Sequence, residues 1–198
     1  INQNKIIFFP QWAEGIFKPI IPKKSFINGV PENSFKIMFA GNIGEAQDFP
    51  SILETAKLLR ENKNIQWIIL GGGRKEEWVK TEIKKHQLER CFHMLGSFPL
   101  ETMPGFYANA DCMLFSLKRE DIFSITIPAK VQSYLACAKP ILAMIDGEAS
   151  KIIEEANAGL TCPSESPELL AENIKNLSSL EQHELDKLGQ NALNYYYN

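Results

Sequence analysis

The segment that decides the fold is residues 111–146, which read DCMLFSLKREDIFSITIPAKVQSYLACAKPILAMID. Its apolar run Cys112–Phe115 is short and continuous, which is typical of a fully buried parallel strand. A mostly polar loop follows, and Pro128 suits the first position of a helix because its fixed φ is already helical. Lys139-Pro140 ends that helix before a second strand. The segment therefore predicts a strand, a loop, a helix and a second parallel strand.

The same alternation extends on both sides of this segment. Strands are expected at 35–40, 65–70, 92–95 and 159–162, and helices at about 48–61, 75–86, 101–108, 150–156, 166–177 and 181–197. Strands that alternate with helices of this length imply right-handed crossovers and a parallel sheet covered on both faces. We therefore predict an α/β, Rossmann-like parallel sheet with helices on both faces.

Residues 1–34 differ from this repeat. Four prolines argue against long regular elements there, yet the segment also holds large apolar residues such as Trp12 and Phe17. We therefore expect an interdomain segment that packs on the following domain, 35–178, with 179–198 as a C-terminal helix. Because the chain opens at Ile1 without a methionine, we also expect a fragment of a longer polypeptide.

Composition limits the classes of function. The chain has 198 residues, of which 44% are hydrophobic and 23% charged, as in a soluble globular protein with a real core. A net charge of −3 argues against nucleic-acid binding. The four cysteines lack CxxC spacing, and no apolar run approaches the ~18 residues that span a bilayer. These features favour reduced, buried thiols in a cytoplasmic protein.

Three glycine-bearing loops follow predicted strands, at Gly41–Gly44, Gly71–Gly73 and Gly96-Ser97. Loops at the carboxyl ends of parallel strands are where ligands bind, and glycine lets the backbone approach a ligand closely. Three such loops on one edge favour a nucleotide site. None of them matches GxGxxG or GxxxxGK[ST], which disfavours a dinucleotide oxidoreductase and a P-loop NTPase.

The helix after Pro128 begins where a loop leaves a buried strand, so its first N–H groups suit an anion. Lys130 falls in that first turn. From this stretch alone, a solvated surface lysine in an ordinary βαβ unit explains the pattern equally well. A metal site finds less support, because the three histidines lack metal-ligand spacing. A serine hydrolase also finds less support, because Ser124 has no G-x-S-x-G context.

Taken together, several motifs resemble the donor-binding half of family 4 (group 1) GT-B glycosyltransferases. They are FAGNIGEAQ (39–47), LGGG (70–73), YANADC (107–112), IPAKVQSYLA (127–136), AKPIL (138–142) and GEA (147–149). The resemblance covers residues 35 to about 177. It is strongest to a bacterial subgroup that includes L-fucosamine transferases of capsule and O-antigen synthesis, in which FPQW (9–12) resembles the segment between the two halves.

The resemblance implies transfer of a sugar from a nucleoside diphosphate, expected to be UDP, with retained stereochemistry. It implies no cofactor and no required metal. The expected partners are a nucleotide sugar, an N-terminal acceptor domain absent from this chain, and a polysaccharide or lipid-linked acceptor. The full-length protein would be cytoplasmic, or peripheral at the inner face of the membrane. Two alternatives stay open, a binding module that is inactive without its acceptor half and a GT-B-like sugar-nucleotide epimerase.

The resemblance also implies site residues. The loop after the first strand would lie near the phosphates and the sugar, Phe98 and Pro99 would flank the base, and Lys130 would neutralise the diphosphate. The remaining implied donor contacts are Gly41, Asn42, Ile43, Gly44, Gln47, Gly72, the backbone of Ser124, Ile125 and Thr126, and Ser133 at the ribose.

Two departures from the family pattern change the expected chemistry. Many relatives have an arginine and a lysine that clamp the diphosphate where this chain has Asn42 and Gln47. Many also have two glutamates where this chain has Ile125 and Ser133. For Phe98, a core residue at the start of a helix is as good an interpretation as a wall beside the base.

Overall fold

A computed structural model describes residues 12–198, without the side chains of Lys24 and Ser25. Six parallel strands form one sheet in the order β3-β2-β1-β4-β5-β6. The strands are β1 (Phe35–Ala40), β2 (Ile65–Leu70), β3 (Phe92–Gly96), β4 (Cys112–Ser116), β5 (Ile141–Met144) and β6 (Gly159–Cys162). The predicted Rossmann-like parallel sheet is confirmed.

Helices cover both faces of this sheet. They are α1 (Phe49–Leu59), α2 (Glu76–Lys85), α3 (Met103–Ala108), α4 (Asp121–Ser124), α5 (Ala129–Ala136), α6 (Glu148–Glu155), α7 (Pro167–Ser178) and α8 (Gln182–Tyr197), with 3₁₀ turns at Lys24–Ile27 and Leu100–Thr102. As predicted, Asp48 is the N-cap of α1, and its carboxylate accepts a hydrogen bond from the Ser51 N–H.

The two faces of the sheet have separate cores because successive strand residues point to opposite sides. In β1, Ile37 and Phe39 belong to one apolar cluster, while Met38 and Ala40 belong to the other. All six residues of β2 are buried, as expected of a central strand covered on both faces. The four cysteines are buried and unpaired, which agrees with the expectation of reduced thiols.

Two details around α5 differ from the sequence prediction. Pro128 is the N-cap and not the first helical residue, because its ψ of 144° keeps the chain extended until Ala129. The expected loop before it contains the short helix α4.

The last two helices begin differently. Glu181 and Glu184 form a capping box at the start of α8, whereas Ser166 makes no side-chain cap for α7.

The described part of the N-terminal segment packs on the sheet domain. Ala13 and Phe17 are buried, and the Phe17 ring stacks on Tyr107 with centroids 5.8 Å apart. The Tyr196 hydroxyl donates to the Ala13 carbonyl at 3.4 Å, which joins α8 to this segment. The expectations for residues 1–11 lie outside the described residues, and the proposed domain boundaries stay a prediction. Within 12–198, no helix has both the length and the apolar character needed to cross a membrane.

Candidate functional site

The three glycine loops meet at the carboxyl edge of the sheet. The Gly71 N–H donates to the Gly96 carbonyl at 2.7 Å, and the Ile43 N–H donates to the Gly72 carbonyl at 2.8 Å. These backbone hydrogen bonds join the loops that follow β1, β2 and β3 into one rim. The structure therefore brings together the loops that the sequence predicted to share an edge.

Glycine is required where these loops touch. Gly71 has φ +120°, and a Cβ at this position would lie 1.9 Å from the Gly41 carbonyl oxygen. Gly73 has φ +154°, and its Cβ would lie 2.5 Å from the Ile43 carbonyl oxygen. A side chain at either position would separate the loops, so these glycines shape the rim whatever it binds.

The strand order reverses beside β1, since the chain continues outward from β1 to β3 on one side and from β4 to β6 on the other. Ligands of open α/β sheets bind in the crevice at such a switch point. Two contacts join the loops that flank it. The Ser116 hydroxyl donates to the Gln47 carbonyl at 2.8 Å, and the Lys118 N–H donates to the Ala46 carbonyl at 2.8 Å.

Lys130 reaches into this crevice from the first turn of α5. Its side chain crosses the open face of Gly41, where a Cβ would lie 2.2 Å from both Cε and Nζ. The ammonium is 4.4 Å from the centroid of the Phe39 ring. Burial lowers the pKa of Lys130 to about 8. Within residues 12–198 this ammonium has neither a hydrogen bond nor a carboxylate partner, so the crevice holds a partly buried cation without a counter-ion.

Two polar side chains of the loop after β1, those of Asn42 and Gln47, form hydrogen bonds within that loop. The Gln47 Oε1 accepts from the Gly44 N–H at 3.1 Å and from the Asn42 Nδ2 at 3.3 Å. Ile43 is fully buried, and its N–H and carbonyl are both bonded within the protein. Asn42 is exposed at the rim. Ile43 is buried in the core, and Gln47 stabilises the loop through its hydrogen bonds.

The loop after β4 differs from the expectation that residues 124–126 offer free backbone donors. The Ser124 N–H donates to the Glu120 carbonyl and the Thr126 N–H to the Phe123 carbonyl, both at 3.3 Å. The N–H of Ile125 also bonds to the Phe123 carbonyl. These N–H groups are engaged because the loop has closed into α4. The Ile125 side chain is 72% exposed.

Phe98 and Pro99 lie on the surface beside the Gly96 loop. Phe98 is 42% exposed, and its ring centroid is 4.4 Å from that of Phe106. Phe98 is therefore not a core residue, and one face of a base could stack there. Ser133 behaves differently, because it is buried and its hydroxyl donates to the Ala129 carbonyl at 3.3 Å within α5. The structure does not bring Ser133 to the rim surface.

A charged cluster across the rim was not predicted from the sequence. The Glu45 carboxylate pairs with Lys75 at 2.6 Å and also with Lys118. These two lysines lower the pKa of Glu45 to about 2. The signal in the sequence was one lysine shortly after the Gly71–Gly73 loop and another shortly after the end of β4, but the pairing with Glu45 depends on the fold.

Two cavities differ in their relation to this rim. A cavity of about 180 Å³ lies beside it, lined by Lys118, Arg119, Glu120, Asp121, Phe123, Ser124, Ile145, Asp146 and Ser164. A larger cavity of about 670 Å³ lies at the opposite, amino edge of the sheet, where Lys36, Asp111 and Lys139 border it. None of the predicted donor-binding residues lines the larger cavity. Volume alone would therefore have selected the edge opposite the predicted site residues.

Comparison with known proteins identifies the class. The family model for glycosyl transferases group 1 matches residues 20–195. The chain is 30% identical to the probable glycosyltransferase WbjE of Pseudomonas aeruginosa over 99% of its own length and 50% of that protein. It therefore spans about half the length of this relative.

Solved structures give the same fold at low sequence identity. WaaG, a glycosyltransferase involved in lipopolysaccharide biosynthesis, superposes with a TM-score of 0.76 at 18% identity, over 96% of this chain and 51% of WaaG. Anabaena HepE, solved with UDP and glucose, gives a TM-score of 0.71 at 17% identity, over 87% of this chain and 45% of HepE.

The fold and the switch-point crevice thus define one Rossmann-like half of a GT-B glycosyltransferase. This chain belongs to the glycosyl transferases group 1 family.

Proposed function

We propose that the crevice between the loops after β1 and β4 binds a nucleotide sugar, with Lys130 beside the diphosphate. The observation that carries this proposal is the partly buried, unpaired Lys130 ammonium in the notch of Gly41. A buried charge without a partner is costly unless a ligand of opposite charge compensates it. The adjacent N-terminus of α5 favours an anion at the same place.

Sugar transfer breaks the bond between the anomeric carbon and a diphosphate oxygen, so negative charge grows on the departing diphosphate. A fixed cation at that position stabilises the transition state more than the ground state. Lys130 would supply this stabilisation, while the Gly41–Gly44 loop holds the phosphates close to the backbone. No side-chain nucleophile and no metal is needed for this part of the reaction.

The base, the acceptor and the stereochemistry are part of the same proposed activity. A uracil base would stack on the exposed ring of Phe98, and the donor would be UDP-linked, as in the UDP complex of HepE. The acceptor would be a polysaccharide or a lipid-linked saccharide, a class consistent with the lipopolysaccharide role of WaaG. Transfer would retain stereochemistry and would occur in the cytoplasm, with the acceptor held by an N-terminal domain.

Calorimetric titration of UDP and of uridine into the wild type and Lys130→Ala tests the diphosphate role. Lys130→Ala should weaken UDP binding by roughly 1.5–3 kcal/mol, the scale of a hydrogen bond to a charged group. Uridine binding should not change, because uridine has no phosphate. Lys57→Ala is the matched control, since Lys57 is also a partly buried lysine but lies on α1 and pairs with Glu54.

Equal losses for UDP and uridine, or no loss for UDP, would rule out the diphosphate role. If the wild type binds neither ligand while the full-length protein transfers sugar, donor binding needs the acceptor domain. If the full-length protein binds donor but only converts one sugar nucleotide into its epimer, the epimerase alternative is correct.

A further inference from the structure

The Glu45 carboxylate links three neighbouring loops of the rim. It lies in the loop after β1, and its partners Lys75 and Lys118 lie in the loops after β2 and β4. These strands are adjacent in the sheet, in the order β2-β1-β4. A single anion therefore occupies the centre of the edge at which the donor diphosphate is proposed to bind.

The backbones of both lysines are fixed against the loop that carries Glu45. The Lys75 N–H donates to the Ile43 carbonyl at 3.0 Å, and the Lys118 N–H donates to the Ala46 carbonyl at 2.8 Å. Their side chains are 40% and 26% exposed, so both can change rotamer without unpacking the core. Two cations are thus anchored on either side of the Gly41–Gly44 loop.

The ion pairs that hold these lysines are weak. Salt bridges between exposed groups contribute little, because water and salt screen them, and the Glu45 side chain is 63% exposed. A diphosphate has more charge and more acceptor oxygens than one carboxylate, and hydrogen bonds between ammonium and phosphate groups are among the stronger ones. Exchange of the carboxylate for a diphosphate is therefore favourable at this position.

We propose that Lys75 and Lys118 are further contacts of the donor diphosphate, held by Glu45 until the diphosphate displaces its carboxylate. This inference rests on the proposed nucleotide-sugar site. It explains how a loop with uncharged Asn42 and Gln47 binds a diphosphate, since the cations come from the neighbouring loops. It also gives Glu45 a defined role, that of an internal competitor for the ligand.

The test is a calorimetric titration of UDP and uridine into the wild type, Glu45→Gln, Lys118→Ala, and Glu45→Gln combined with Lys75→Ala or Lys118→Ala. Removal of the competing charge should make Glu45→Gln bind UDP about three- to tenfold more tightly, without a change for uridine. Each lysine removal in the Glu45→Gln protein should then weaken UDP binding about tenfold. With Glu45 present, Lys118→Ala should weaken UDP binding by less than tenfold, because it also removes the Glu45–Lys118 ion pair that the donor must break.

Glu54→Gln is the matched control, since Glu54 pairs with Lys57 at 2.6 Å within α1, outside the rim loops. Thermal unfolding of each variant separates loss of folding from loss of binding. If Glu45→Gln binds UDP as tightly as the wild type or more weakly, Glu45 is only a structural link and the inference is wrong. If Lys130→Ala nevertheless weakens UDP binding, the proposed function still stands. If neither this folded chain nor the full-length protein binds UDP, the inference is overturned together with the proposed site.

Discussion

Lys130 shows how one residue acquires a function from its surroundings. A lysine on an open surface titrates near 10.4, whereas burial over the Phe39 ring and against Gly41 lowers the pKa of Lys130 to about 8. The cause is desolvation, which disfavours the charged form. A bound diphosphate would restore the charged form, so donor binding and protonation are coupled.

The affinity for UDP should therefore depend on pH in a defined direction. Below about pH 8 the Lys130 ammonium is already charged, and affinity should be constant. Above that pH the free protein loses the proton that the complex retains, so affinity should fall, by up to about tenfold per pH unit. Titrations between pH 7 and 9 measure this slope. Lys130→Ala should remove it, and a wild-type profile that rises with pH would contradict the assignment.

At the scale of elements, the rim depends on loops whose backbones lie so close together that they leave no room for a Cβ atom between them. Gly71 combines a positive φ with a backbone contact to Gly41, whereas Gly96 has φ +84° and nothing within 4 Å of its added Cβ. A comparison of substitutions at these two positions therefore distinguishes the cost of a steric clash from the cost of backbone strain. Gly71 maintains the distance between two loops, and Gly96 only permits a turn.

Gly71→Ala should thus destabilise the protein more than Gly96→Ala. Backbone strain costs about 1–3 kcal/mol at either position, and only Gly71→Ala must in addition move the Gly41 carbonyl, which lies 1.9 Å from the new Cβ. Urea unfolding measures the difference in the free energy of unfolding. Equal losses for the two variants would show that the loops adjust freely and that their close contact is not required.

The described part of the molecule, residues 12–198, exposes apolar side chains near both of its ends. Trp12 is 58% exposed and Tyr197 is 73% exposed, although Ala13 and Ala192 in the same two segments are buried. Exposed apolar residues of this size are common at surfaces that contact a partner. The chain also spans 50% of WbjE and 51% of WaaG. Both facts agree with a donor-binding half that works with an acceptor-binding half.

Residues 1–198 alone should bind UDP weakly and transfer no sugar, because the acceptor must be positioned against the donor for the reaction to proceed. The assay is transfer of labelled sugar from a UDP-sugar to a lipid-linked acceptor, with the full-length protein as the positive control. Measurable transfer by this chain alone would show that it contains a complete active site.

The sequence by itself determined the succession of strands and helices along the chain (apart from α4), the parallel sheet and the N-cap at Asp48. These features follow from local periodicity and capping chemistry, which a few neighbouring residues specify. It also placed the glycine loops on one edge, because the carboxyl ends of parallel strands share an edge.

Only the tertiary structure decided which groups meet at that edge. The contacts of Lys130 with Gly41 and Phe39, and of Glu45 with Lys75 and Lys118, join residues far apart in the chain. The closure of residues 121–124 into α4, which uses the N–H groups expected to be free, likewise came from the structure. Burial and the distance between charges fix the chemistry of such groups, and both depend on how the chain packs.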